Sequence, residues 1–284
     1  MLKKIRAQIL ARRQKTLRGK KIKRFIKEGS IPWSEGYAEY RADKIKEAIQ
    51  TLPIKFINWG LGIDERIVEI PWIFKNLSFI NEKILDAGSS LNHDYILDLK
   101  LIKTKELTIC TYHPESYARP SQRINYVYAD LRELPFKDSW FDTIVCISTL
   151  EHIDMDNSMY GYTTGHALDS REKSYSYLKA VHEMIRVLRL GGQLLITVPF
   201  GEFENHGFFQ QFDKEMLSRM IGTLSKNGEM KTDFFRYSKS GWNSSTIEDC
   251  SNEQSFNPHT GIGKKDDGAA HCRSVACLNF TKLK

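Results

Sequence analysis

Two acidic residues follow strand-like apolar runs in the middle of the chain, where a ligand could meet them. Asp86 and Gly88 end a run that begins at Ile84, and Asp130 ends a second run. A glycine at a strand end allows a tight turn close to a ligand, and an ionised carboxylate accepts hydrogen bonds from amino or hydroxyl groups. Residues 89–93 contain no further glycine, so the dinucleotide-binding fingerprint is absent. Alone, this pattern indicates either a ligand-binding turn or an ordinary strand-to-helix turn.

Apolar runs of strand length alternate with amphipathic stretches from residue 83 onward. Strands are predicted at Ile84–Ala87, Leu107–Thr111, Tyr126–Ala129, Thr143–Ser148 and Gln193–Val198, with weaker ones near Phe234 and at Ser274–Phe280. The clearest helix covers Ser174–Leu190. This alternation predicts an α/β fold with a parallel sheet covered on both faces. Ligands bind such sheets beyond the carboxyl ends of the strands, which is where Asp86 and Asp130 stand.

The chain before residue 83 is expected to be helical. Apolar residues recur at helical spacing over Tyr37–Gln50 and Asp64–Leu77. A segment with Pro and Gly at 30–36 separates these helices from a basic N-terminal stretch. The sequence therefore predicts a basic arm and linker at 1–35, a helical cap at 36–80 and a sheet-containing domain at 81–284.

The segment from Asn125 to His152 carries a series of short motifs. In order they are Ala-Asp at 129–130, Leu-Pro-Phe at 134–136, Phe-Asp at 141–142 and Glu-His at 151–152, with a Gly-Gly turn at 191–192. Together, over residues 83–200, they resemble the class I S-adenosylmethionine-dependent methyltransferases of the type 11 group. The resemblance implies a Rossmann-like, doubly wound, mostly parallel seven-stranded sheet, here with an N-terminal helical extension. It also implies a methyltransferase domain at 81–284 that uses S-adenosyl-L-methionine as cofactor.

The resemblance assigns cofactor contacts to residues that follow the strands. Asp86 and the Gly88 backbone match positions near the methionine and ribose portion of the cofactor. Asp130 matches the residue that accepts from the adenine amino group, and the Leu131 N–H would serve the ring nitrogens. The alternative for Asp130 is a helix or turn cap. The full predicted cofactor set is Asp86, Ala87, Gly88, Tyr112, Asp130, Leu131, Thr149 and Glu151.

The second predicted strand departs from the pattern of the resembling family. It runs into Cys110–Glu115, where no carboxylate occupies the place of the acidic residue that usually holds both ribose hydroxyls. Tyr112 or His113 can supply one hydrogen bond, and Glu115 would have to reach back. Because of this departure, a second hypothesis stays open: the protein has the fold but no catalytic activity, and it binds only the cofactor or a partner.

His152 is the candidate general base, because it follows the fourth strand on the rim where substrates of the resembling family bind. A base is needed only when the attacking group is poorly acidic, such as a hydroxyl. The alternative is a loop histidine that holds backbone, with Glu151 facing the cofactor. No metal is expected, because the other loop residues that could form an oxygen-rich site match no metal template in their spacing. Those residues are Asp154, Asp156, His166, Glu204 and His206.

Aromatic residues are frequent in the second half of the chain. Beside Asn, Asp and His they suit stacking on sugar faces, although most aromatic residues are simply core. They are Tyr160, Tyr162, Phe203, Phe208, Phe209, Trp242 and those within 234–242. The stretches 36–41, 207–213 and 267–277 resemble bacterial methyltransferases of surface polysaccharides. That resemblance implies O-methylation of a sugar hydroxyl of a glycan or glycan precursor in polysaccharide biosynthesis, with a small metabolite or a lipid as alternative acceptors.

Positive charge is concentrated at the N-terminus. Residues 1–27 hold twelve Lys and Arg and no acidic residue, whereas the whole chain has a net charge of +7, so the other 257 residues carry −5. A basic amphipathic helix on anionic lipid, a nucleic-acid contact and a solvated helix are the alternatives for this arm. A negatively charged domain disfavours nucleic acid as the acceptor.

Composition narrows the class of protein further. With 41% hydrophobic and 27% charged residues the chain is globular, and no apolar run approaches the ~20 residues of a membrane span. Its five cysteines are irregularly spaced, which disfavours a disulfide framework or a zinc site and favours a reducing compartment. The prediction is a cytoplasmic protein, with peripheral contact at the inner face of the membrane through residues 1–27 as a further hypothesis.

Overall fold

The computed structural model describes residues 2–51, 56–78, 82–115, 117–119, 124–158 and 172–284. Its helices are α1 (Leu2–Lys27), α2 (Tyr37–Gln50), α3 (Arg66–Asn76), α4 (Asp94–Leu97), α5 (Lys100–Lys103), α6 (Tyr177–Val187), α7 (Lys214–Ser225) and α8 (Ile247–Cys250), with a 3₁₀ turn at Leu150–His152. Its strands are β1 (Lys83–Ala87), β2 (Glu106–Thr111), β3 (Ile124–Tyr128), β4 (Phe141–Ile147), β5 (Leu188–Pro199), β6 (Glu204–Asn205), β7 (Gln210–Gln211), β8 (Gly228–Ser238), β9 (Gly241–Ser245) and β10 (Ser274–Lys282).

Eight of the strands form one sheet in the order β3-β2-β1-β4-β5-β10-β8-β9, and β6 and β7 form a separate ribbon. Neighbours among β3, β2, β1, β4 and β5 are parallel, whereas β10 is antiparallel to both β5 and β8. The predicted Rossmann-like, mostly parallel architecture is confirmed. Because β1 lies between β2 and β4, the strand order reverses there, and doubly wound sheets bind ligands at such a reversal.

Both faces of the sheet are covered, as strands that are apolar on both sides require. In β4, Val145 and Ile147 belong to the core that includes α3, whereas Ile144 and Cys146 belong to the core that includes α6 and α7. Helix α3 is buried from Ile67 to Phe74. It therefore shares its hydrophobic core with the sheet that follows it in the chain.

Two elements differ from those predicted. The helix predicted over Ser174–Leu190 ends at Val187, because Leu188 pairs with Phe141 and begins β5. The main sheet has eight strands instead of seven, because β9 folds back antiparallel on β8. Trp242 in β9 is fully buried and forms a bridge with Trp59, so the added strand fastens the segment before α3 to the sheet.

Helix α1 is anchored at its carboxyl end. Phe25 is fully buried, and its ring packs on those of Tyr37 and Tyr40 in α2. Residues 12–17 are exposed. Within the described ranges, no helix is both long enough and apolar enough to cross a membrane.

The loops after β1 and β4 touch each other at Gly88. A Cβ added to Gly88 would lie 2.1 Å from Thr149 Oγ1, and its φ of +116° is one that L side chains rarely adopt. Thr149 Oγ1 donates to Ile147 O at 2.9 Å, which holds the threonine in place. Only glycine therefore fits at position 88 without a shift of one loop.

We expect Gly88→Ala to lower the free energy of unfolding by about 2 kcal/mol or more, because the new methyl group overlaps Thr149 and the backbone is strained. Gly222 in α7 is the matched control, since a Cβ there would meet nothing within 4 Å. Gly222→Ala should raise stability by about 0.5–1 kcal/mol. Urea unfolding measures both, and an unchanged midpoint for Gly88→Ala would contradict the loop contact.

Candidate active site

A cavity of about 870 Å³ lies above the carboxyl ends of β1, β2, β3 and β4. Small-molecule sites typically have volumes of about 300–1,000 Å³. Six of the nine predicted site residues line it: Gly88, Tyr112, Asp130, Leu131, Thr149 and His152. The other three, Asp86, Ala87 and Glu151, are buried, with 2% exposure or less. The strand ends therefore bring most of the predicted site together at the reversal of the sheet.

Asp86 holds the loop that forms the cavity wall after β1. Its Oδ2 accepts from the Leu91 N–H at 2.8 Å, and the Ser90 N–H is a second backbone donor. Burial raises the pKa of Asp86 to about 7. Because the side chain is completely buried, it shapes the cavity by fixing backbone.

Asp130 is fixed by Arg132. Its two carboxylate oxygens accept from Arg132 Nε at 3.0 Å and from Nη2 at 2.7 Å, and Oδ1 also accepts from the Arg132 N–H at 2.8 Å. Burial opposes ionisation of Asp130, but the hydrogen bonds from Arg132 hold its pKa below the usual range. Arg132 Nη1 also binds Asp154 Oδ1 at 2.5 Å. Asp130 therefore caps its own turn, as the alternative interpretation predicts, and it also lines the cavity.

Glu115 supplies a carboxylate after β2. Its Oε2 accepts from Ser89 Oγ at 2.7 Å and from Asn92 Nδ2 at 2.8 Å, so the side chain reaches back over the loop after β1. Glu115 lines the cavity beside the exposed ring of Tyr112. The sequence alone could not show this return, because it depends on how residues 112–115 turn.

Arg66 is a cavity residue that the sequence analysis missed. It is the first residue of α3, with Nη1 2.5 Å from Glu69 Oε2 and Nη2 3.5 Å from Ser148 O. It therefore places a guanidinium beside the loop after β4. No motif marked it, because α3 precedes the first strand and was assigned to a cap.

Carboxylates that are almost fully buried surround Arg66. Burial raises the pKa values of Glu69 and Glu151 above their usual range. Burial also opposes ionisation of Glu65, but His271 and Arg66 hold its pKa below the usual range. The interior beside the cavity therefore carries more acidic than basic groups.

His152 lies in the 3₁₀ turn after β4. Its Nδ1 donates to Phe208 O at 2.7 Å, in the turn of the β6–β7 ribbon. A carbonyl oxygen only accepts, so Nδ1 carries the proton and Nε2 is the basic nitrogen of the neutral ring. Burial lowers the pKa of His152 to about 4, which keeps the ring neutral near pH 7. The residue holds backbone through one nitrogen and can act as a base through the other.

The oxygen-rich metal group considered in the sequence is not assembled in the described part of the chain. Asp154 binds Arg132, and Glu204 accepts from the Ser255 N–H at 2.6 Å. His166 lies outside the described residues. The one group of potential ligands found among the described residues is different and consists of Glu65, His271 and Cys272.

The aromatic residues considered for sugar stacking fall into two groups. Phe209 and Trp242 are fully buried and are core, whereas Phe203 and Phe208 are half-buried. The tyrosines within 160–162 lie outside the described residues. Phe234 is half-buried as well, and none of these three half-buried rings lines the cavity.

Comparisons with known proteins agree with this architecture. Residues 87–196 match the family described as methyltransferase domain. A stretch of 100 residues, 35% of the chain, is 30% identical to an uncharacterised protein of Methanocaldococcus jannaschii. That match spans 27% of the relative, so the chain covers about a quarter of its length.

Two solved structures are similar at low sequence identity. One is the 1,6-didemethyltoxoflavin-N1-methyltransferase of Burkholderia thailandensis with bound S-adenosylhomocysteine, at 15% identity and TM-score 0.42 over 71% of each chain. The other is the N-methyltransferase NodS of Bradyrhizobium japonicum in complex with S-adenosyl-l-homocysteine. It has 12% identity and a TM-score of 0.39, over 86% of this chain and 99% of that one.

The strand order and the family match point in the same direction. Residues 87–196 match a methyltransferase domain, and the sheet to which they belong has the mostly parallel order predicted for that fold. The predicted enzyme class and cofactor agree with this match. The similarities leave the acceptor unspecified.

We expect Asp86→Ala to weaken binding of S-adenosylhomocysteine at least about tenfold, because two backbone N–H groups of the loop lose their acceptor at about 1–3 kcal/mol each. Asp86→Asn is the control, since its amide oxygen can still accept from the Leu91 N–H. Titration calorimetry compares the two variants. Equal affinity of Asp86→Ala and the unaltered protein would show that the loop needs no such anchor.

Asp130→Ala should also weaken cofactor binding at least about tenfold, because it removes a charge-assisted acceptor from the cavity wall and releases Arg132. Asp138→Ala is the matched control, because Asp138 is an exposed aspartate that also pairs with an arginine, Arg186. Calorimetry at constant pH measures both. If neither Asp86→Ala nor Asp130→Ala changed the affinity, the predicted cofactor site would be wrong.

Proposed function

We propose that this protein transfers the methyl group of S-adenosylmethionine to a hydroxyl group, with a sugar of a glycan or glycan precursor as acceptor. The observation that carries the proposal is the distribution of groups along the cavity. Acidic acceptors from Glu115 and Asp130 follow β2 and β3, whereas Arg66 and His152 stand beside β4. This arrangement fits S-adenosylmethionine in one orientation, with its adenosine beside β2 and β3 and its amino-acid portion beside β4.

The adenosine end belongs beside β2 and β3. A carboxylate oxygen has more than one lone pair, so Asp130 can accept from the adenine amino group while it stays bound to Arg132. We assign Glu115 the role of the ribose-binding carboxylate, because it reaches back over the loop after β1 and lines the cavity. In this proposal the carboxylate holds one ribose hydroxyl and keeps its bonds to Ser89 and Asn92.

The amino-acid end belongs beside Arg66. Arg132 is held by two carboxylates, Asp130 at 2.7 Å and Asp154 at 2.5 Å. The five-donor guanidinium of Arg66 is also near two, but only Glu69 is close, at 2.5 Å, whereas Glu65 is 4.0 Å away. In this proposal the carboxylate of the cofactor therefore pairs with Arg66, beside β4. This direction brings the methyl-bearing sulfonium toward the loop that contains His152.

A hydroxyl acceptor explains why a histidine stands at this position. Displacement at the methyl carbon is fastest when the acceptor oxygen is aligned, and a hydroxyl becomes a good nucleophile only as its proton leaves. The neutral His152 accepts that proton at Nε2. Asn157 in the cavity wall, and the ring of Phe208 at 6.0 Å from that of His152 between centroids, suit a ligand that has both apolar faces and hydroxyls.

A transfer assay distinguishes this proposal from its alternatives. Methyl-labelled S-adenosylmethionine is incubated with the protein and with separate glycan, lipid and small-metabolite fractions of bacterial extracts. We expect label in the glycan fraction, on oxygen. Label in the lipid or metabolite fraction would replace the acceptor, and absence of transfer despite cofactor binding would favour a catalytically silent protein.

His152→Ala should lower kcat by about 10²–10⁴ and leave cofactor affinity unchanged, because only the base is removed. Because His152 stays neutral down to about pH 4, kcat of the unaltered protein should fall on the acid side near pH 4 and not near pH 6.5. The exposed His182 in α6 provides the matched control, His182→Ala. Full turnover by His152→Ala would exclude it as the base.

We further propose that α1 holds the enzyme on anionic membrane surfaces. The supporting observation is that Phe25 ties the carboxyl end of the helix to α2, while residues 12–17 are exposed. The remaining 257 residues carry −5, so this helix is the basic part of the molecule. Each basic residue near an anionic surface contributes about 1 kcal/mol.

Reversal of Arg12, Arg13 and Lys15 to Glu should reduce binding to phosphatidylserine vesicles about a hundredfold or more, because three attractive charges become repulsive. Reversal of Lys239, Lys264 and Lys265, which are equally exposed on the body, is the control. Vesicle sedimentation measures the partition. Substitution is preferable to removal of α1, because loss of Phe25 would expose the core that it fills. Equal partition of both variants to the vesicles would exclude α1 as the membrane-binding element.

A further inference from the structure

We propose that Glu65, His271 and Cys272 bind a zinc ion. They offer a carboxylate oxygen, an imidazole nitrogen and a thiol sulfur, all within 4.8 Å of one another. Zinc in proteins is held by these three types of donor, at about 2.0–2.3 Å from each. Donors in a tetrahedral site lie about 3.5 Å apart, so small side-chain rotations would close this set on an ion.

Glu65 and His271 form a hydrogen-bonded pair, which an ion bound between them would replace. His271 Nδ1 lies 3.1 Å from Glu65 Oε1. Glu65 itself is only 6% exposed, and no described residue hydrogen-bonds to its Oε2. An unpartnered buried carboxylate oxygen costs about 1–3 kcal/mol or more, so its position beside a histidine and a cysteine points to a cation.

The surrounding charges favour a cation as well. Four acidic side chains are buried here beside two arginines. Asp64 is paired with Arg41 and Glu69 with Arg66, whereas Glu65 lies 4.0 Å from Arg66 and 3.1 Å from His271, and Glu151 is a further buried acidic group. A divalent ion would offset this excess, whereas a buried carboxylate otherwise must be protonated or paired. Soft thiolate and borderline imidazole donors select a transition metal over Mg²⁺ or Ca²⁺.

The thiol changes its protonation state when the ion binds. A free cysteine has a pKa of about 8.5, so the side chain is a thiol before binding. On binding, the S–H proton passes to solvent and the sulfur forms a bond to zinc. The three protein ligands leave a fourth position, which a water molecule fills.

The ion would join two segments that border the cavity. Glu65 precedes α3, whose first residue Arg66 lines the cavity, and His271 and Cys272 precede β10. The His271 ring packs on Phe209 at 4.8 Å between centroids, and Phe209 in turn packs near His152 at 6.4 Å. Zinc binding therefore stiffens the wall behind the proposed base without entering the cofactor cavity.

Metal binding by the full-length protein tests this inference independently of methyl transfer. Protein freed of metal with a chelator is titrated with zinc, and its affinity is measured by competition with a chromogenic chelator. We expect one zinc per chain and an affinity at least about tenfold lower in Glu65→Gln, His271→Gln and Cys272→Ser. Cys277→Ser, at another buried cysteine in β10, is the matched control and should bind as the unaltered protein does.

Cobalt substitution reports on the sulfur directly. The unaltered protein and Cys277→Ser should show thiolate-to-cobalt charge-transfer absorption, and Cys272→Ser should not. Zinc should raise the melting temperature of the first two proteins, and at the same zinc concentration it should raise that of Cys272→Ser by less. If the serine variant melts lower without metal, Cys272→Ala repeats the test without a buried hydroxyl. Absence of zinc binding, or equal binding by the Cys272 variants, would overturn the proposal.

Discussion

The contact between the loops after β1 and β4 is the constraint on which the site depends. The strands are parallel and adjacent, but their chains leave in different directions, so a gap opens at their carboxyl ends. Gly88 allows the two loops to meet at Thr149, and Asp86 holds the next backbone N–H groups from within. The remaining cavity walls, contributed by β2 and β3, are positioned relative to this junction.

Charge is distributed unequally around the cavity. On the side of β2 and β3, Arg132 pairs with both Asp130 and Asp154 in a partly exposed network. On the side of β4, Arg66 stands among carboxylates that are almost completely buried, where electrostatic interactions are stronger than in water. The polar groups nearest the proposed reaction centre therefore act in the drier half of the site, as methyl transfer from a cation to a neutral acceptor favours.

The sequence predicted those features that depend on local pattern. Apolar runs such as Ile84–Ala87 and the helical spacing of 37–50 indicated the elements, and their alternation indicated the sheet. It missed β9, because Gly241–Ser245 contains one large apolar residue and gains its strand conformation from pairing with β8. The assignment of residues 36–80 to a helical cap stays a prediction, since periodicity does not tell which sheet face a helix covers.

Candidate site residues followed the same division. Residues directly after strands, such as Gly88 and Asp130, could be placed because parallel strands end at a common edge. Arg66 could not be placed, because only the folded core brings it beside Ser148 in the loop after β4. Glu65 and His271 could not be grouped, because about 200 residues separate them along the chain. The sequence also could not predict the orientation of the Asp86 side chain, since a carboxylate at a strand end can face either a ligand or its own loop.

The β8–β9 hairpin has a consequence for how the molecule meets its copies. An outer strand normally presents unpaired backbone groups that can template addition of a strand from another chain. Here Trp59 exchanges backbone hydrogen bonds with Trp242 at 3.0 and 2.7 Å, and Ser244 donates to Phe56 at 3.0 Å. The segment before α3 thus shields this border of the sheet, and self-association through intermolecular β-pairing is disfavoured there.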